Sequence, residues 1–171
     1  MSKIRIMTDS ASDISYADEQ KYAISVIPFP ITLGGKTYTS RVDFDNEQFF
    51  SLMAQYDEIP KTAQITPFQF QEIYLQEAQA GVTDLVLVLI NSKGSSTYDN
   101  SVQAIELFYE EYPEYRDVLH IHSFDGMGYN ALYGSPRGPC GADVRGRRSP
   151  GVDSAISDEY SSPAADLFRH L

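Results

Sequence analysis

Tryptophan is absent, and cysteine occurs once, at Cys140. A lone thiol excludes an internal disulfide and a thiolate metal site. No apolar run approaches the roughly 18–20 residues that a membrane-spanning helix needs. The opening Met1-Ser-Lys-Ile-Arg-Ile-Met is too short and too alternating for a signal peptide. Positive charge is scarce: 13 lysines and arginines face 24 acidic residues, a net charge of -11. That balance argues against nucleic acid, whose phosphates need a basic face, and against an anionic membrane surface. A Gly-x-Ser-x-Gly elbow, a P-loop and a dinucleotide fingerprint are all missing. What is present suits a cytoplasmic globular chain: 42% hydrophobic residues in 171, enough to bury the core of one ordinary domain.

The composition breaks near residue 134. Five of the eight arginines (Arg137, Arg145, Arg147, Arg148 and Arg169) lie in the last 37 residues, together with four of the nine prolines. That tail has no lysine and only two aromatics, Tyr160 and Phe168, and its five acidic residues cancel its five basic ones. It lacks helical and strand periodicity. Composition therefore divides the chain into an ordered domain over 1–134 and a disordered tail over 135–171.

Within 1–134, strand and helix patterns alternate. Ile4, Ile6 and Met7 predict a first strand, and Ser12 an N-cap for a helix over 12–20. An apolar run covers 23–28, and Gly34-Gly35 predicts the turn of a hairpin over 31–38. Asp45 or Asn46 opens a helix whose buried stripe should be Phe49, Phe50, Leu52 and Met53. Thr66-Pro67 starts another, with Pro at the first helical position, continued by Phe68, Phe70, Ile73, Tyr74 and Ala78 and ended by Gly81. The continuous run Leu85-Val-Leu-Val-Leu-Ile90 reads as a central parallel strand. A helix follows to about Tyr112, then a strand over 118–121 and a further helix start near Met127. Such alternation predicts an α/β fold, a parallel, Rossmann-like sheet with helices on both sides. Ligands of such sheets sit beyond the carboxyl ends of the strands. That rim collects 8–12, 91–97 and 123–128.

The rim is rich in hydroxyls: Asp9-Ser10-Ala11-Ser12, Lys61-Thr62-Ala63-Gln64-Ile65-Thr66 and Ser92-Lys93-Gly94-Ser95-Ser96-Thr97. Hydroxyl donors and free N–H groups at a helix start suit carboxylate or phosphate oxygens. Ser and Thr also simply cap helices, but 92–97 is denser in them than capping requires. Asp9 and Asp13 read as turn-orienting rather than catalytic. His120 and His122 are expected on opposite faces of one strand, with no ligand cluster around them, so neither a metal nor another cofactor is expected.

These segments, in this order, resemble the N-terminal domain of the DegV family of fatty-acid-binding proteins. The matching stretches are Ile6-Met-Thr-Asp9-Ser10-Ala-Ser-Asp13-Ile, Val26-Ile-Pro28-Phe-Pro-Ile-Thr-Leu, Thr37-Tyr38 with Val42-Asp43, Pro60-Lys-Thr62-Ala-Gln64-Ile-Thr66-Pro67 and Ser92-Lys-Gly-Ser95-Ser-Thr97-Tyr98. They extend over nearly all of residues 3–134. The resemblance implies a protein that is not an enzyme but a carrier, enclosing a long-chain fatty acid between two domains and presenting it to a separate fatty acid kinase. It implies that hydroxyls hold the carboxylate, here Thr62 and Ser95 first, Ser92 and Thr66 next, with Ser10 on the same rim. Two residues depart from the family pattern: Ala63 stands where Ser is usual, and Ser96 where Gly is common. Weakened but recognisable head-group chemistry is expected.

The tail departs further, since the family continues with an apolar helix and a second, mostly antiparallel domain. Read one base out of frame from Pro136-Arg137, the codons permit Pro-Val-Val-x-Ala-Ala-Gln-Met-Tyr-Glu-Asp-Gly, an amphipathic helix ending at Gly. A lost reading frame, with the second domain absent and fatty acid binding impaired, is therefore expected, the alternative being a natural disordered tail. Sequencing the gene past codon 134 tests this: no family-like continuation in a shifted frame would refute it. Two other functions compete. A phosphotransfer or kinase-related α/β subunit would use His122, the one rim histidine. An interaction protein would self-associate with concentration through an uncovered sheet edge.

Overall fold

The computed structural model describes residues 2–129. The tail over 135–171 and the helix expected to follow Met127 lie outside the described residues, and 126–129 are not helical. The elements run β1 (Ile4–Asp9), a 3-10 turn (Ser10–Ser12), α1 (Tyr16–Tyr22), β2 (Ile24–Ile27), β3 (Pro30–Leu33), β4 (Lys36–Thr39) and α2 (Asn46–Met53). They continue with β5 (Lys61–Thr62), α3 (Pro67–Gln79), β6 (Asp84–Leu89), α4 (Thr97–Glu111), a second 3-10 turn (Pro113–Tyr115) and β7 (His120–Asp125).

Four strands form a parallel sheet in the order β2-β1-β6-β7. The apolar run 85–90 is thus an interior strand, as its unbroken hydrophobicity requires. Leu85, Leu87 and Leu89 share one face, fully buried against Phe70 and Tyr74 of α3 and Ala104 and Phe108 of α4. The Tyr74 ring meets Phe108 edge-on at 5.9 Å. Its hydroxyl donates to the Ser101 carbonyl at 3.0 Å, tying α3 to α4 inside the core. Burial pushes the Tyr74 phenol far above its ordinary pKa, outweighing the opposing hydrogen bond to Ser101.

Three local expectations are corrected. The first helix is capped by Ser15, whose hydroxyl accepts from the Asp18 N–H at 3.1 Å. Ser12 belongs instead to the preceding 3-10 turn, where its buried Oγ has no hydrogen-bond partner among the described residues. On α2 no residue is fully buried, and Phe50 is 67% exposed. Phe49 stacks on Phe44 at 4.7 Å, so this helix closes a peripheral aromatic cluster rather than the sheet. Finally, β5 pairs antiparallel with β3 and makes the predicted hairpin a three-stranded sheet, β4-β3-β5. The hairpin turn has φ of 60° at Gly34 and 73° at Gly35, the left-handed pair that a tight turn of the I′ kind demands.

Candidate functional site

The carboxyl end of the parallel sheet opens into a cleft of about 610 Å³. Its walls come from the β1 exit (Ala11), the segment between β2 and β3 (Phe29), β5 and the loop after it (Thr62, Ala63, Gln64), the β6 exit (Ile90 and the run from Ser92 to Ser96) and Tyr129. Parallel strands direct their following loops to one end, which is why segments distant in sequence converge here.

Two carboxylates outside the lining hold the loops that form it. Asp9, fully buried, accepts from the Ala11 N–H at 3.0 Å and the Ile90 N–H at 2.7 Å. It therefore joins the exits of β1 and β6. Asp125, at the end of β7, accepts from the Ser92 N–H at 3.2 Å, the Ser92 hydroxyl at 2.6 Å and the Met127 N–H at 2.8 Å. On the opposite wall, the Asn100 amide donates to the Ile65 carbonyl at 2.8 Å, and the Ile65 N–H donates to Thr97 Oγ1 at 3.4 Å. Those bonds hold the loop carrying Thr62 against the first turn of α4.

Of the five hydroxyls singled out from sequence, Thr62, Ser92 and Ser95 line the cleft together. Thr62 makes no side-chain hydrogen bond among the described residues. Thr66 and Ser10 are not in the lining. Thr66 caps α3, its hydroxyl accepting from the Gln69 N–H at 3.3 Å in a reciprocal capping box. Ser10 accepts from the Phe29 N–H at 3.0 Å and so braces the cleft from behind. Ser96 precedes α4 without a side-chain cap bond. Lys93 also lines the cleft, carrying the only formal charge among the described lining residues. Gln64 and Tyr129 add an amide and a phenol. A Cβ on Gly94 would lie 1.8 Å from the Tyr129 hydroxyl, so Tyr129 crosses directly over the glycine. Sequence reasoning did not single out Lys93, Gln64 or Tyr129. The first two sit inside segments already marked by their hydroxyls, whereas nothing near Tyr129 signals its position.

His122 lies in the middle of β7, opposite Val86, exposed and away from the cleft. Two residues apart, His120 and His122 share a face rather than opposing each other. Both act on the nearby Asp84 carboxylate. Among the described residues no cluster of His, Cys, Asp and Glu could hold a metal.

The described residues thus form an α/β domain whose parallel sheet ends in a hydroxyl-lined cleft with one cation in its lining. A family model described as "Uncharacterised protein, DegV family" matches residues 3–127, and the chain belongs to the DegV family. It is 32% identical over 127 residues to a DegV domain-containing protein of Caldanaerobacter subterraneus subsp. tengcongensis, covering 74% of this chain and 45% of the relative. A second such protein, from Clostridium acetobutylicum, is 30% identical over 132 residues, covering 77% and 46%. The chain therefore spans less than half the length of these curated relatives. Among solved structures, DegV of Bacillus subtilis, described as a fatty acid binding protein, superposes with a TM-score of 0.70 at 18% identity, covering 99% of this chain and 52% of that one. A stearic acid-binding protein from Eubacterium ventriosum gives 0.64 at 23% identity, covering 77% and 44%. At such identities the likeness establishes the fold. No helix of the described residues is long and apolar enough to cross a membrane.

Proposed function

We propose that this chain carries the head-group part of a fatty-acid site and works as a carrier rather than a catalyst. Ser95 and Thr62 hold the carboxylate, Lys93 adds its charge, and Ser92 shapes the floor. Support comes above all from one observation: three of the five expected hydroxyls meet in a single cleft whose described lining contains a lysine and no acid. A carboxylate gains from charge-assisted hydrogen bonds there without meeting a like charge. The solved relatives described as fatty-acid-binding favour the same ligand class. Presentation of the acid to a fatty acid kinase in the cytoplasm follows from the family resemblance and belongs to the same proposal. Thr66 and Ser10 serve this site indirectly, by capping α3 and by fixing Phe29.

An acyl tail gains about 0.8 kcal/mol per buried CH₂, and among the described residues only Ala11, Phe29, Ala63, Ile90 and the Tyr129 ring offer apolar wall. The 171-residue chain is therefore expected to bind dodecanoate weakly, in the high micromolar to millimolar range, and to purify without bound lipid. Native mass spectrometry with lipid extraction, followed by calorimetric titration with dodecanoate, tests both parts. Stoichiometric co-purified fatty acid would overturn the weak-binding expectation. No heat of binding at millimolar dodecanoate would overturn the head-group assignment.

A further inference from the structure

We propose that Thr97 is a positioning residue that turns the Ser95 hydroxyl into a directed proton donor facing the cleft; this rests on the head-group reading above. Ser95 Oγ accepts from the Thr97 N–H at 3.2 Å and lies 2.9 Å from Thr97 Oγ1. Either hydroxyl can be the donor in that contact, and burial decides between them. Thr97 is fully buried, whereas Ser95 is half-buried and lines the cleft. A hydroxyl has one proton and two acceptor sites. Were Ser95 the donor, Thr97 Oγ1 would accept from both Ser95 and the Ile65 N–H. The Thr97 proton would then be buried with no other acceptor among the described residues, an unfavourable state. With Thr97 donating, the Ile65 N–H, the Thr97 N–H and the Thr97 hydroxyl are all satisfied. The two acceptor sites of Ser95 are then filled by the Thr97 N–H and O–H. Its own proton is the one group left over, and the cleft is where it can go.

The neighbouring serine is wired the other way. Ser92 gives its proton to Asp125 at 2.6 Å, so it offers a ligand only acceptor sites. Two cleft serines of identical chemistry thus have opposite hydrogen-bond polarity. The relay from Ile65 N–H through Thr97 to Ser95 favours a head group that only accepts, and an ionised carboxylate gains most because hydrogen bonds to charged acceptors are the stronger kind. Thr97 touches no ligand itself. Its role is discrimination between head groups on the same tail.

The test titrates the full 171-residue chain with dodecanoate and with dodecan-1-ol at pH 8 by calorimetry. The unsubstituted chain should favour the acid. Thr97→Val, which keeps the shape and removes the hydroxyl, should cut the acid-to-alcohol affinity ratio about fivefold, the scale of one ordinary hydrogen bond, while alcohol affinity stays put. Thr97→Ser should restore the ratio. A purely structural role for Thr97 would weaken both ligands alike, and an unchanged ratio or a parallel loss overturns the relay while leaving the head-group site standing. Should Thr97→Val fail to fold by circular dichroism, Ser95→Ala carries the test, because the relay ends there: a ratio retained in Ser95→Ala overturns it. An unsubstituted chain that binds neither ligand, or both equally, overturns the site and the relay together.

Discussion

Asp84 shows how single side chains are tuned at the amino end of the sheet, opposite the cleft. The Thr83 hydroxyl donates to its carboxylate at 2.7 Å and the Ser2 hydroxyl at 2.8 Å. Those two bonds, Thr83 first, hold the Asp84 carboxyl below the usual carboxylate range, helped by His120 and His122. A depressed folded-state pKa means the folded chain prefers the ionised form. The resulting stability is present above the unfolded value, about 3.9, and fades as pH falls through the lower folded value. Urea midpoints for the unsubstituted chain and Asp84→Asn should therefore differ most at neutral pH and converge below pH 3. A gap that stays constant from pH 7 to pH 3 would show that the carboxylate plays no such part. The same contrast explains what residue types alone conceal. Ser92 and Ser95 are equivalent letters three positions apart, yet Asp125, 33 residues beyond Ser92, claims the proton of one and buried Thr97 releases the proton of the other.

Elements with their own local signals match their reading closely. The unbroken run of β6 needs burial on both faces, the Gly34-Gly35 pair needs left-handed backbone, and Thr66-Pro67 with Gln69 needs a helix start. Elements defined by what they pair with were not legible. Two residues of β5 have no period to detect, although β5 places Thr62 at the cleft. Phe49 and Phe50 satisfy a helical stripe without revealing that α2 lies beside Phe44 instead of the sheet. Ser12 resembled a cap because its hydroxyl precedes an amphipathic stretch, but the left-handed Asp13, at φ 57°, postpones the helix to Ser15. Capping and ligand binding also look alike in sequence, and Thr66 separates them experimentally. Thr66→Ala removes the acceptor for the Gln69 N–H and should cost about 1 kcal/mol of stability while leaving dodecanoate affinity within twofold. Thermal or urea unfolding, read beside calorimetry, checks this. Loss of binding with unchanged stability would return Thr66 to the head-group set.

For the whole molecule the central tension is electrostatic: a chain of net charge -11 is assigned an anionic ligand. Long-range repulsion and local attraction respond differently to salt. The Debye length falls from roughly 10 Å at 0.1 M to about 3 Å at 1 M, so added salt removes the repulsion from distant carboxylates first. The Lys93 ammonium, exposed at the cleft and without an ion pair among the described residues, acts at short range and is weakened less steeply. In the unsubstituted chain the two effects oppose each other, and dodecanoate affinity should change little between 0.05 M and 0.5 M sodium chloride. Lys93→Gln leaves the repulsion alone in play. That variant should bind dodecanoate roughly threefold more weakly at low salt, a surface ion pair being worth on the order of 1 kcal/mol or less, and regain most of the loss at high salt. Dodecan-1-ol, which carries no charge, should bind both chains alike at every salt concentration and so corrects for salting-out of the acyl tail. Parallel salt curves for the two chains would mean that the lysine lies at the mouth of the cleft without serving it, and the carboxylate would then rest on Ser95 and Thr62 alone.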